Sequence, residues 1–217
     1  MISRAASTVL LSIGLAACIF GPRAAYVPKP QPIDMESDRW NSFTFSEDAI
    51  TVTVRVPPRF RIVKTNRLPE ATYDQASQRL LLDAQYDFGK QSHNNPTEFH
   101  LRAQFVRLTA PLSQTPLNAA ALYRAVRAAA GRPAAPGGND PKPVREQGAA
   151  REWMHLDPHD AAERPGEVRE DFYTMIDETS VFGVSATYST TVQNDPKWFE
   201  SRRRILRAVV DHIVVTR

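Results

Sequence analysis

Apolar and polar residues alternate strictly through AITVTVRVPPRF. Ile50, Val52, Val54 and Val56 fall on one side, and Thr51, Thr53 and Arg55 on the other. That spacing predicts a half-buried strand, stopped by Pro57 and Pro58. The same period of two returns twice. Leu80, Leu82, Ala84, Tyr86 and Phe88 share one side, and Phe99, Leu101, Ala103 and Phe105 share another. GKQSHNNPT lies between them, so the pair predicts an antiparallel hairpin.

The period changes in TPLNAAALYRAVRAAAG. Leu122, Val126 and Ala130 form a stripe, with Ala119 toward its start. Thr115 offers a cap, Pro116 suits the first turn and Gly131 can terminate, predicting a helix of about four turns. The proline-rich run that follows has no period, and a mobile loop is expected near 132–147. Further strands are expected around REWMHLD, EVREDFYTMID and SVFGVSATYST; in the last, Phe182, Val184, Ala186 and Tyr188 alternate with Gly183, Ser185, Thr187 and Ser189. A final helix opens at Asp195 and Pro196. Trp198, Arg202, Ile205, Leu206, Val209 and Ile213 trace its apolar side, the Arg202 stem lying along it, while Arg203, Arg204 and Arg207 are expected to face water. The order of elements predicts an α+β fold, an antiparallel sheet packed against helices, as a single domain over 40–217.

The N-terminus follows a different logic. Residues 1–17 carry Arg4 and then an apolar run too short to span a bilayer. This is the build of a removable export signal. Leu15, Ala16 and Ala17 precede Cys18, the single cysteine of the 217 residues. LAAC resembles the lipobox of bacterial lipoproteins. The resemblance implies cleavage before Cys18, a diacylglycerol on its thiol, and an acylated amine carrying a chain such as palmitate. Each buried methylene contributes about 0.8 kcal/mol, so two or three chains anchor a protein firmly. Ile19, in place of the Asp that resembles an inner-membrane retention signal, implies the outer membrane and its periplasmic face. Pro22, Pro28, Pro30 and Pro32 make 18–39 read as an extended tether, or as an arm that Tyr26 or Ile33 anchors to the domain.

Over 40–214 the body resembles PsbP/Mog1-like domains. FTFSEDAITVTVRVPPRF is similar to their first hairpin and WFESRRRILRAVVDHI to their last helix. That group offers no catalytic residues to transfer.

Composition narrows the function classes. A net charge of +3 is a weak basis for nucleic-acid binding, despite a pI near 9.2. Arg202, Arg203 and Arg204 would fan around a helix rather than line one face, so no nucleic-acid partner is expected. His155, Asp157, His159 and Asp160 are metal-ligand types, and His93 or His100 could complete a set. Pro158 argues against the helix that would align His155 with His159, so an exposed polar loop is expected there. Glu167, Glu170 and Asp171 read as a solvated acidic face. Ser185 lies outside a nucleophile elbow, and no glycine-rich phosphate loop is present.

These readings predict no enzyme, no cofactor and no catalytic or metal residues. They leave Cys18 as the one modified site. The expected function is that of a membrane-anchored lipoprotein binding a periplasmic protein. The build of signal, tether and modest α+β body resembles lipoprotein immunity proteins of type VI secretion systems. The alternatives are an envelope scaffold or assembly factor, a small-ligand carrier with a pocket at Tyr86, Phe105 and Tyr188, or a metal-assisted enzyme using His155–Asp160.

Overall fold

Two antiparallel sheets share the hydrophobic interior. The computed structural model describes residues 32, 33, 35, 36, 39–47, 49–58, 60–66, 80–88, 99–131, 140–161 and 165–217. The signal, Cys18, Tyr26, His93 and 132–139 lie outside the described residues.

β1 (Asn41–Glu47) and β2 (Ile50–Val56) form a hairpin, and β10 (Val214–Thr216) closes a three-stranded sheet in the order β1-β2-β10. The burial of β2 alternates as its sequence requires: Val52, Val54 and Val56 are fully inside, and Thr51, Thr53 and Arg55 are half-exposed.

The larger sheet contains β3 (Phe60–Asn66), β4 (Leu80–Phe88), β5 (Phe99–Arg107), β6 (Pro143–Gln147), β7 (Glu152–Asp160), β8 (Val168–Met175) and β9 (Ser180–Tyr188). Its strand order is β3-β4-β5-β9-β8-β7-β6, with antiparallel pairing throughout. The expected hairpin is β4–β5. β6 corrects the loop expected over 132–147. Residues 143–147 gain a ladder on β7, and pairing rather than hydrophobic period makes them a strand.

The period of two puts Phe99, Leu101, Ala103, Phe105, Phe182, Val184, Ala186 and Tyr188 on one face. α3 (Pro196–Asp211) and the small sheet cover that face, with Ile205, Leu206 and Val209 fully buried. Burying each such side chain contributes about 1.5–3 kcal/mol. Asp195 caps α3 as its sequence predicts, its Oδ1 accepting from the Lys197 and Trp198 amides at 2.9 and 3.3 Å. Arg202 is wholly buried, its guanidinium 5.3 Å from the Trp198 ring. Ile33 packs against the same core, so this part of the N-terminal arm touches the domain.

α1 (Ala119–Ala129) covers the other face through Leu122, Tyr123, Val126 and Ala129. Its cap is Asn118, not Thr115: the Asn118 Oδ1 accepts from the Ala121 amide at 3.0 Å. Gly131 takes the positive φ of a helix terminator, 61°. Between β9 and α3 lies one short turn, α2 (Thr190–Gln193).

The fold is therefore α+β, with an antiparallel sheet packed against helices on both faces.

Candidate functional site

The chemistry collects where β6, β7 and β8 meet α3. His155 and Asp157 are two apart on β7 and project to the α3 side, as does Phe172 of β8, the ladder partner of His155. The β7–β8 register shifts between Leu156 and His159. Leu156 opposes Asp171 and His159 opposes Arg169, so Asp157 and Pro158 together face Glu170. A proline has no amide to donate and fits such a bulge. The bulge brings Asp157 beside Glu170.

His155 is 1% exposed. Its ring stacks on Phe172 with centroids 4.2 Å apart and planes 10° from parallel. Its Nδ1 lies 2.7 Å from the Oε1 of Glu146 on β6, and its Nε2 lies 2.8 Å from Glu170 Oε1. Asp157 Oδ1 is 3.9 Å from the same Nε2. Both ring nitrogens are thus within hydrogen-bond reach of a glutamate carboxylate.

α3 supplies the cations. Arg203 donates Nε to Glu170 Oε2 at 3.0 Å and Nη2 to Glu170 Oε1 at 2.9 Å; the same Nη2 reaches Asp157 Oδ1 at 3.2 Å. Arg207, one turn on, donates to Glu146 Oε2 at 3.1 Å and lies over the Phe172 ring at 5.7 Å. Tyr188 of β9 donates its hydroxyl to Glu170 Oε2 at 2.8 Å.

Glu170 is fully buried. Burial alone raises its carboxyl, but the hydrogen bonds from His155, Arg203 and Tyr188, with the Arg203 charge, outweigh that and hold it at about 2. The bond to Glu170 in turn raises Arg203 above the ordinary guanidinium value, against its own desolvation. Burial, and then the Glu170 charge, push the Tyr188 phenol well up, so it remains a donor.

Several expectations are corrected by this geometry. The acidic run is not a solvated face: Glu170 and Asp171 are both buried, on opposite faces of β8. The strand expected around REWMHLD runs on through His159 and Asp160 as β7, so the exposed polar loop expected over His155–Asp160 is corrected, and His155 is buried. Arg203 is engaged with buried Glu170 instead of turning to water, while Arg207 is exposed as expected and also donates to Glu146. His155, Asp157 and Glu170 each place a ligand atom within 4.8 Å of the others, an arrangement that can hold a metal ion. This cluster, with His155 and Glu170 buried, suggests a potential catalytic site and overturns the expectation that the chain is no enzyme.

The structure separates His159 and Asp160 from the cluster. His159 turns to the α1 side, where its Nε2 lies 3.5 Å from Asp171 Oδ2, and Asp160 is exposed. His100 lies on β5, whose ladder partner is Thr187. Ring contacts fill the space at two of the carrier pocket's expected walls. Phe105 packs on Phe182, and Tyr188 packs on Phe99 and Phe199.

Glu146 and the two arginines escaped the sequence reading. A signal for Arg203 and Arg207 did exist, since residues four apart on a helix share one side. Nothing in the sequence marks Glu146 as a neighbour of His155.

The donor set of one imidazole and two carboxylates suits a divalent transition metal with positions left for water. Glu146 accepting from Nδ1 is the outer carboxylate that fixes the ring of a metal-ligating histidine. Asp157, with its side chain 71% exposed, opens the cluster to solvent. No family model matches the sequence, and no curated protein is significantly similar to it.

Proposed function

We infer that this chain is a lipid-anchored envelope protein whose body carries a divalent-metal site at His155, Asp157 and Glu170. The observation that supports the site is the pinned imidazole: Glu146 holds Nδ1 at 2.7 Å, and Nε2 faces the two carboxylates. The reaction class this donor set favours is metal-assisted hydrolysis. A bound cation would supply Lewis acidity. The protein's own share is to orient the imidazole through Glu146 and Phe172, and to keep Glu170 ionised through Tyr188 and Arg203. Coordination would use the Nε2 lone pair in place of its hydrogen bond with Glu170.

The address rests on LAAC at 15–18. With Ile19 after it, this motif supports a protein anchored through acylated Cys18 at the periplasmic face of the outer membrane. The α+β body is consistent with a PsbP/Mog1-like sandwich as the finer description.

A second reading, a lipoprotein that binds a periplasmic protein and acts as an immunity protein, draws support from β6. This strand pairs with β7 alone among the described strands, and Val144 on it is 42% exposed. An open sheet edge is a template for a partner's strand.

Zinc and manganese titration followed by thermal melting tests the metal reading. A melting temperature that rises with either ion in the wild type, and not in His155→Ala, supports it. No response at millimolar ion overturns it.

A further inference from the structure

The geometry points to Arg203 as the resident cation of this site, exchanging with the divalent ion for the same two carboxylates. The inference rests on the metal reading above and adds how the site is controlled.

One nitrogen carries the argument. Arg203 Nη2 is 2.9 Å from Glu170 Oε1 and 3.2 Å from Asp157 Oδ1. Those two residues, with His155, are the set whose ligand atoms converge. A guanidinium nitrogen therefore stands where an incoming ion must sit, and the two cannot share the position. Charge points the same way. Glu146, Asp157 and Glu170 surround His155, and with Arg203 withdrawn the Glu170–Asp157 side loses the cation facing it. A buried carboxylate without a counter-charge is costly, so a second cation is drawn into the gap.

The route out exists. The Arg203 side chain is 22% exposed, and its second partner, Asp157, is mostly in water. Arg203 lies outside the Ile205–Leu206–Val209 stripe that packs α3 on the sheet, so its guanidinium can swing to solvent without moving that core. Arg207 keeps its own bond to Glu146 and continues to hold the outer carboxylate of His155. The apo protein is thus closed by its own side chain, and metal occupancy is expected to be weak until the ion outcompetes it.

Calorimetric titration of zinc chloride into the full chain tests this with Arg203→Met, which keeps the stem and removes the charge, and Arg203→Lys, which keeps a charge but not the fork. Arg203→Met is expected to bind zinc ten- to a hundredfold more tightly than wild type, with Arg203→Lys between them. His155→Ala in the Arg203→Lys background should abolish the gain. If wild type binds zinc and both variants bind it equally or more weakly, the exchange is overturned while the metal site stands. If neither wild type nor variants bind, the metal reading itself fails and the exchange with it. Should Arg203→Met not fold, Arg203→Lys against wild type decides by the same criterion.

Discussion

Acid should unfold this protein partly through Glu170. The carboxyl has an ordinary value of 4.5 and is held at about 2 in the folded protein. Because the folded value is the lower one, the contribution to stability is complete above the unfolded value. It is lost as pH falls from about 4.5 toward about 2. The difference corresponds to about 3 kcal/mol. Glu170→Gln keeps the shape and drops the charge, leaving Arg203 and His155 facing a neutral amide. Urea unfolding in steps from pH 7 to pH 2.5, for wild type and variant, measures the effect. The variant should be less stable at pH 7 by about 3 kcal/mol, and the gap should close as the acid limit is approached. Asp177 adds to the slope of both proteins. Burial raises its carboxyl, but the Thr179 and Ser180 hydrogen bonds outweigh that and hold it at about 2. A variant equal to wild type at pH 7, with the same slope into acid, would refute the buried ion network as a source of stability.

Three further outcomes follow from the packing and the N-terminus. A methyl at Gly183 would meet the Tyr173 ring at 2.5 Å, so Gly183→Ala should lower the melting temperature, at a cost of about 1–3 kcal/mol by denaturant unfolding. Asn118→Ala removes the bond to the Ala121 amide and should cost about 1 kcal/mol in the same assay, with the C-terminal helix unaffected. Cys18→Ser should shift the protein, expressed in a Gram-negative host, from the membrane to the aqueous fraction; unchanged membrane association would remove the lipid anchor.

Much of the scaffold was legible because local rules and tertiary packing agree. In β2 and most of β5 the period of two separates core from surroundings, and each strand buries the side its sequence marks, whereas β9 is covered on both faces and buries nearly all of its residues. Asp195–Pro196 begins α3 because a cap and a proline satisfy the first turn whatever the helix packs against. Where only a partner decides, the local signals misled. Residues 143–147 have little hydrophobic period and become β6 through their ladder on β7. Thr115 and Pro116 carry start signals for a helix that Asn118 begins.

The amino-acid sequence by itself determined which residues alternate, which turns break the pattern and which sides of the two long helices are apolar. Each of those properties is set within a few residues of chain. Tertiary structure alone decided the site. Glu146, His155, Glu170 and Arg203 meet across separations of 9, 15 and 33 positions. Alternation assigns a side chain to a face, but not to a neighbour. Strand order, the bulge at Asp157–Pro158 and the seat of α3 choose the neighbours, and these follow from the packing of the whole chain.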